Sequence, residues 1–203
     1  MTLLLAATLA ALQAAQGPDP RLERLDSISR PIVTALVDSA RAVALPTEPL
    51  VQRALEGATK RATADRIVAA VRRLAVDLGH ARDALGATAS PTELTAAAAA
   101  LRAGAPPATL TELRRIRREP LTVPLAVLTD LVASGVPVDS AAAAVLSLAA
   151  KARDADLVEF RRAVERDIAL GAPPASATAA AAAFAAAAVQ VNAGAKQQRP
   201  GRP

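Results

Sequence analysis

The sequence predicts an all-α fold, an irregular array of antiparallel helical hairpins with about eight to nine helices, arranged as an α-solenoid or a bundle. Three observations indicate it. The composition is dominated by Ala, Leu and Val, and Ala and Leu are strong helix formers. Apolar residues recur every three or four positions instead of alternating. A Gly-x-Pro signature recurs at residues 103–107, 134–138 and 170–174, between such stretches.

The Gly-x-Pro signature marks the end of one helix and the start of the next. Gly104, Gly135 and Gly171 can each adopt the left-handed conformation that terminates a helix. The Pro two residues later cannot continue that helix but suits the first turn of the following one. Gly57 is interpreted as a copy without proline. The uneven intervals between these glycines favour a degenerate array over a regular solenoid.

The N-terminal part divides into two segments. Residues 1–16 are signal-peptide-like, and residues 17–46 form a polar lead-in and a helix. Within the lead-in the spacing predicts a short helix from Arg21 to Ser29, followed by a helix that Pro31 opens. From residue 47 to residue 192 the chain is predicted to be the helical-hairpin array, whose first helix is capped by Thr47.

The longest helix is predicted over residues 64–85, between Thr63 and Gly86. Its apolar residues alternate at intervals of four and three and predict one buried stripe, which consists of Ile67, Val71, Leu74, Leu78, Ala81 and Leu85. The polar residues fall on other faces, and Arg73 and Asp77 are spaced as an ion pair.

The second half contains the remaining hairpins. Ser90, Pro91 and Glu93 begin a helix with the residues of a capping box. Further helices are predicted around Leu110 to Glu119 and over residues 123–134, 139–152, 155–170 and 175–191, the fourth of these capped by Asp154. Asn192 to Gly194 end the last helix, and a disordered basic tail is predicted at residues 193–203.

Composition limits the chemistry that the chain can perform. Cysteine is absent, so disulfides and thiolate catalysis are excluded, and Phe160 and Phe184 are the only aromatic residues. The net charge of +5 is concentrated in Lys196, Arg199 and Arg202, so the rest of the chain is nearly neutral. A strongly basic nucleic-acid-binding body is therefore not favoured.

The first sixteen residues resemble a secretory signal. They form an apolar run of suitable length, followed by small residues, and cleavage is predicted near residues 14–16. No Lys or Arg precedes the run, so the alternatives are a buried N-terminal helix or a wrongly chosen start codon. The expected location is the periplasm or the extracellular medium.

No arrangement of residues favours an enzyme, a cofactor or a metal. His80 is the only histidine, and its neighbours Asp77 and Asp83 are interpreted as part of a solvated helix face. The acidic cluster of Asp154, Asp156 and Glu159 is typical of a helix N-terminus. Phosphate-binding loops and nucleophile motifs are absent from the sequence.

The most distinctive candidate binding site in the sequence is a basic cluster of Arg114, Arg115, Arg117 and Arg118. On a helix these residues would cover one broad face and could bind an anionic partner, although an exposed face with local ion pairs is the simpler interpretation. The Ala run 179–188 is interpreted as a terminal helix packed through small residues, because Ala is too weakly apolar to drive insertion as a transmembrane span.

Taken together, these features predict an exported bacterial α-helical protein that acts as a non-enzymatic protein-binding or structural module of the cell envelope. A protein partner or self-association is expected, and peripheral membrane contact stays open. The alternative is a cytoplasmic nucleic-acid-associated protein that uses the cluster from Arg114 to Arg118 and the basic tail.

Overall fold

The computed structural model describes residue 17 and residues 19–197, with side chains up to Val191. Over these residues the chain is all-helical, with nine α-helices and no strand, which confirms the predicted fold class. A 3-10 helix (Pro20–Arg24) is followed by α1 (Ser29–Ala42), α2 (Glu48–Thr59), α3 (Ala64–Leu85), α4 (Pro91–Arg102), α5 (Pro107–Ile116), α6 (Thr122–Ala133), α7 (Val138–Ala149), α8 (Asp154–Ala169) and α9 (Pro174–Gln197). The signal-like segment 1–16 and residues 198–203 of the tail lie outside the described residues.

The chain divides into two compact units, one up to Val76 and one from Asp77 onward. In the first unit the 3-10 helix packs against α1 and α2. The predicted helix from Arg21 to Ser29 is wrong. The 3-10 helix ends at Arg24, and the Asp26 carboxylate then accepts hydrogen bonds from the backbone N–H groups of Ile28 (2.8 Å) and Ser29 (2.9 Å) at the start of α1.

The second unit is an array of two rows of helices. In one row α4 packs against α6 and α6 against α8, while in the other α5 packs against α7 and α7 against α9. Each helix thus contacts the next helix but one, and α6–α7, α7–α8 and α8–α9 contacts join the rows. α8 and α9 are therefore the last helices of their rows among the described residues.

The Gly-x-Pro interpretation is confirmed at its three copies. Gly104, Gly135 and Gly171 have φ of 104°, 88° and 95°, the left-handed conformation that ends α4, α6 and α8. In each case the next residue donates a backbone hydrogen bond across the helix end, as from Ala105 N to Ala100 O at 3.0 Å. The end of each of these three helices therefore follows from the local sequence.

Gly57 does not end a helix. It lies within α2, where an added Cβ would come within 2.8 Å of Cγ1 of Ile67 on α3. Its role is to allow these two helices to approach closely. Arg61 takes the left-handed conformation after α2 instead, with φ of 53°, and Ala44 does the same after α1, with φ of 56°. Neither position is occupied by a glycine, so the sequence does not predict a left-handed helix end there.

The apolar stripe predicted for the longest helix is confirmed in full. α3 covers residues 64–85, and all six residues of the stripe are buried, namely Ile67, Val71, Leu74, Leu78, Ala81 and Leu85. The ion pair predicted between Arg73 and Asp77 is not formed. Instead, Oδ2 of Asp77 pairs with Nη2 of Arg102 on α4 at 3.3 Å.

Two of the predicted helix ends are wrong. α5 ends at Ile116 rather than near Glu119, because Arg117 adopts an extended backbone with φ of −126° and ψ of 127°. α9 continues through Asn192 and Gly194 to Gln197. A glycine within a helix costs only about 1 kcal/mol relative to Ala, so Gly194 does not have to end one.

Candidate interaction surface

The four arginines predicted to form one basic face are separated by the end of α5. Arg114 and Arg115 lie in its last turn, whereas Arg117 and Arg118 follow the helix. Arg117 is only 4 % exposed, so the prediction of a shared surface is wrong for this residue. Helical spacing cannot place all four residues on one face when the helix ends between them.

Arg117 binds the junction between α7 and α8. Its Nη1 donates to the carbonyl oxygens of Ala149 (3.0 Å) and Ala152 (2.8 Å), and its Nη2 donates to Asp154 Oδ1 at 2.6 Å. Ala149 is the last residue of α7, where carbonyl groups lack partners within the helix and a positive charge is favourable. Arg117 is therefore a structural anchor between the end of α5 and this junction.

Asp154 begins α8 but does not cap it through its side chain, contrary to the prediction. The capping interaction comes from Asp156, whose Oδ2 accepts the backbone N–H of Arg153 at 3.0 Å. The hydrogen bond from the Arg153 guanidinium also lowers the pKa of the Asp156 carboxyl. The third acid of the predicted cluster, Glu159, pairs with Arg162 at 2.8 Å. All three acids thus have structural partners.

Arg114 takes part in a second junction between helices, in which the buried carboxylate of Glu93 is the common acceptor. One oxygen of the Glu93 carboxylate accepts hydrogen bonds from Arg114 Nη2 (2.6 Å) and the backbone N–H of Leu121 (2.9 Å), and the other accepts the backbone N–H of Ser90 (2.9 Å). Ser90 caps α4 and Leu121 precedes α6, so a single carboxylate joins three helices.

The electrostatics of Glu93 follow from these contacts. Burial on its own raises the pKa of the carboxyl, but the hydrogen bonds from Ser90, Leu121 and Arg114 outweigh burial and lower the pKa to about 2. Glu93 is therefore ionised over the physiological range, which excludes it as a general acid there.

Little of the predicted basic cluster remains for a partner. Arg115 is exposed but forms an ion pair with Glu112 at 2.5 Å, and Arg118 is exposed. Elsewhere His80 is exposed, and among the described residues no group of three or more His, Cys, Asp or Glu side chains could hold a metal ion.

The last two described helices, α8 and α9, present different outer surfaces. α8 carries charged side chains that pair along the helix, including Arg161 with Glu165 and Arg162 with Glu159, each at 2.8 Å. Up to Val191, the buried residues of α9 are Ala177, Thr178 and Ala181. The outer face of α8 is thus charged, whereas α9 leaves most of its apolar residues up to Val191 exposed.

An apolar stripe runs along the exposed side of α9. Its members, spaced four, three and four residues apart, are Ala180, Phe184, Ala187 and Val191, and we call them the α9 stripe. Phe184 is 78 % exposed and Val191 is 71 % exposed. The sequence predicted a terminal helix packed through small residues, and this holds only for its first two turns. The exposure of the Phe184 ring is not part of that prediction.

The segment Pro174–Val191 is also the one helix segment of the described chain that is long and apolar enough to cross a membrane, and only 17 % of it is buried. At 1.5 Å per residue it spans roughly 27 Å. Comparisons of the chain with family models, with curated proteins and with solved structures find no match.

Proposed function

We propose that the protein is an exported, non-enzymatic helical array that acts as a binding module in the bacterial cell envelope, with the α9 stripe as its contact surface. The observation that carries the proposal is the apolar end of one row of helices. A continuous exposed apolar stripe that includes a phenylalanine is typical of an interaction surface. The signal-like segment 1–16 supports export.

The nucleic-acid alternative loses most of the residues on which it depended. Arg117 is buried, and Arg114 and Arg115 form ion pairs with Glu93 and Glu112. Arg118 and the basic residues of the tail are what remains for phosphate binding. Aromatic residues that could stack on bases are scarce, because Phe160 is buried and Phe184 is the other aromatic of the chain.

Cell fractionation with N-terminal sequencing tests the proposed location. We expect the mature chain in the envelope fraction, beginning near residue 15 to 17. An intact N-terminus in the cytosol, together with nucleic acid that copurifies at low salt, would contradict the proposal.

Two variants test the contact surface in the same experiment. Phe184→Asp places a charge on the α9 stripe, and we expect it to release the processed protein from the envelope fraction. Ala155→Asp adds the same charge at an exposed position of α8 and should leave the distribution unchanged. Equal behaviour of the two variants would show that the α9 stripe is not the contact surface.

A further inference from the structure

We infer that the α9 stripe docks onto the surface of an anionic lipid bilayer, with the basic residues that follow it binding the lipid head groups. The inference rests on the proposed function, because it names the partner of the same surface. The first supporting observation is the segment Pro174–Val191, which is apolar and mostly unburied. A helix of this kind can bury its exposed side at the boundary between head groups and acyl chains.

The distribution of charge is the second observation. The sequence has no Asp or Glu after Asp167, and Lys196, Arg199 and Arg202 follow the apolar segment directly. A negative membrane surface attracts such residues, and each Lys or Arg strengthens binding about 5-fold. The chain thus carries, in consecutive parts of its sequence, the apolar and the basic residues that bind an anionic membrane surface.

A second copy of the chain is a poorer match for the same surface. Another α9 would bring an identical set of basic residues and no acid to neutralise them. The stripe itself offers two alanines, one phenylalanine and one valine, and small side chains bury little apolar area against each other. Head groups supply the negative charge that α9 of a second copy lacks.

The composition of α9 favours binding at the surface over insertion across the bilayer. Ala dominates the segment, and Phe184, Val189 and Val191 are its large apolar residues. Spanning helices need a higher content of Leu, Ile, Phe and Val to insert stably. A single aromatic anchor and three basic residues instead give weak, reversible and salt-dependent binding.

Vesicle cosedimentation with the full mature chain tests the inference. The probes are vesicles of phosphatidylglycerol and phosphatidylcholine, and vesicles of phosphatidylcholine alone. We expect binding to the first and little binding to the second, with binding lost at high salt. Absence of binding to the anionic vesicles, or equal binding to both, would overturn the inference.

Matched variants assign the binding to its residues. Phe184→Ser should weaken vesicle binding about 10-fold, whereas Leu170→Ser, at an equally exposed apolar position that precedes α9, should have no effect. Replacing Lys196, Arg199 and Arg202 by Gln should weaken binding about 100-fold. Equal effects of the two Ser variants would overturn the assignment. Circular dichroism verifies that each variant folds.

Sedimentation equilibrium separates this inference from self-association and from the proposed function. A dimer that Phe184→Ser dissociates, with vesicle binding unchanged, would place a second copy on the stripe and overturn the lipid inference. If wild-type protein fails to bind vesicles but Phe184→Asp still releases it from the envelope fraction, the lipid inference fails and the proposed function stands.

Discussion

α8 and α9 end neighbouring rows of the same array and stabilise it in different ways. α8 inserts Leu157, Phe160 and Val164 into the core and exposes charged residues that pair with one another. Over the residues of α9 up to Val191, the buried side chains are small and the single aromatic residue is exposed. The difference shows that an apolar helix is not necessarily a core helix. Large buried residues define the packed face of α8, whereas the described part of α9 buries none and leaves an apolar surface exposed.

The largest expected effect comes from replacing one apolar residue in each of the two helices. Leu157→Ala should lower the free energy of unfolding by about 4 kcal/mol, because Leu157 is fully buried and its truncation leaves a cavity. Phe184→Ala removes a larger side chain but should change stability by less than about 0.5 kcal/mol. Urea denaturation of both variants measures the contrast. A similar loss in both would show that Phe184 is packed in the folded chain.

Acid titration tests the contribution of Glu93 on α4, which lies in the same row of helices as α8. The pKa of Glu93 is about 2 in the folded chain, below its unfolded value of 4.5, so its stabilising effect is complete above pH 4.5 and is lost as pH falls toward 2. The shift corresponds to about 3 kcal/mol. Urea denaturation as a function of pH should show this loss.

Glu93→Gln provides the control for that titration. The variant should be destabilised at neutral pH and should lose less stability between pH 4.5 and 2 than the wild type, because the group that takes up the proton is absent. Parallel stability curves for the two proteins would show that Glu93 is not the source of the acid sensitivity.

Replacing Arg117 tests the anchor at the start of α8. Arg117→Met keeps the volume of the apolar stem but removes the donors to Ala149 and Ala152, which should cost about 2 kcal/mol. Arg118→Met alters an exposed position and should change stability by less than about 0.5 kcal/mol. Thermal denaturation compares them, and equal melting temperatures would rule out the anchor.

The smallest effect is expected at the turn between α8 and α9. Gly171 has φ of 95° and no atom within 4 Å of an added Cβ, so Gly171→Ala should cost about 1 kcal/mol through backbone strain alone. Arg61 adopts a similar conformation without being a glycine, and Arg61→Gly should stabilise the protein by up to about 1 kcal/mol. Changes of the same sign in the two variants would contradict this account.

The features that the sequence predicts are those decided by neighbouring residues. The six-residue stripe of α3 follows from helical spacing, and the left-handed turns at Gly104, Gly135 and Gly171 follow from the need for a residue without Cβ. The capping box between Ser90 and Glu93 is equally local and is confirmed.

The sequence does not reveal contacts that depend on distant segments. The acceptors of Arg117 lie on Ala149 and Ala152, more than 30 residues away, so its burial could not be foreseen from a run of arginines. The left-handed turn at Arg61 lacks a glycine and carries no local signal. The exposure of Phe184 depends on how α9 packs against α7 and α8, which helical spacing does not specify.

Hydrogen exchange of the backbone amides tests the central claim most directly, because it compares α8 with the end of α9 in one protein. Without lipid, residues 157–164 should exchange at least about 100-fold more slowly than residues 182–191. Addition of anionic vesicles should slow exchange in the second segment and leave the first unchanged. Equal protection of both segments in the lipid-free monomer would contradict the claim that this part of α9 is uncovered.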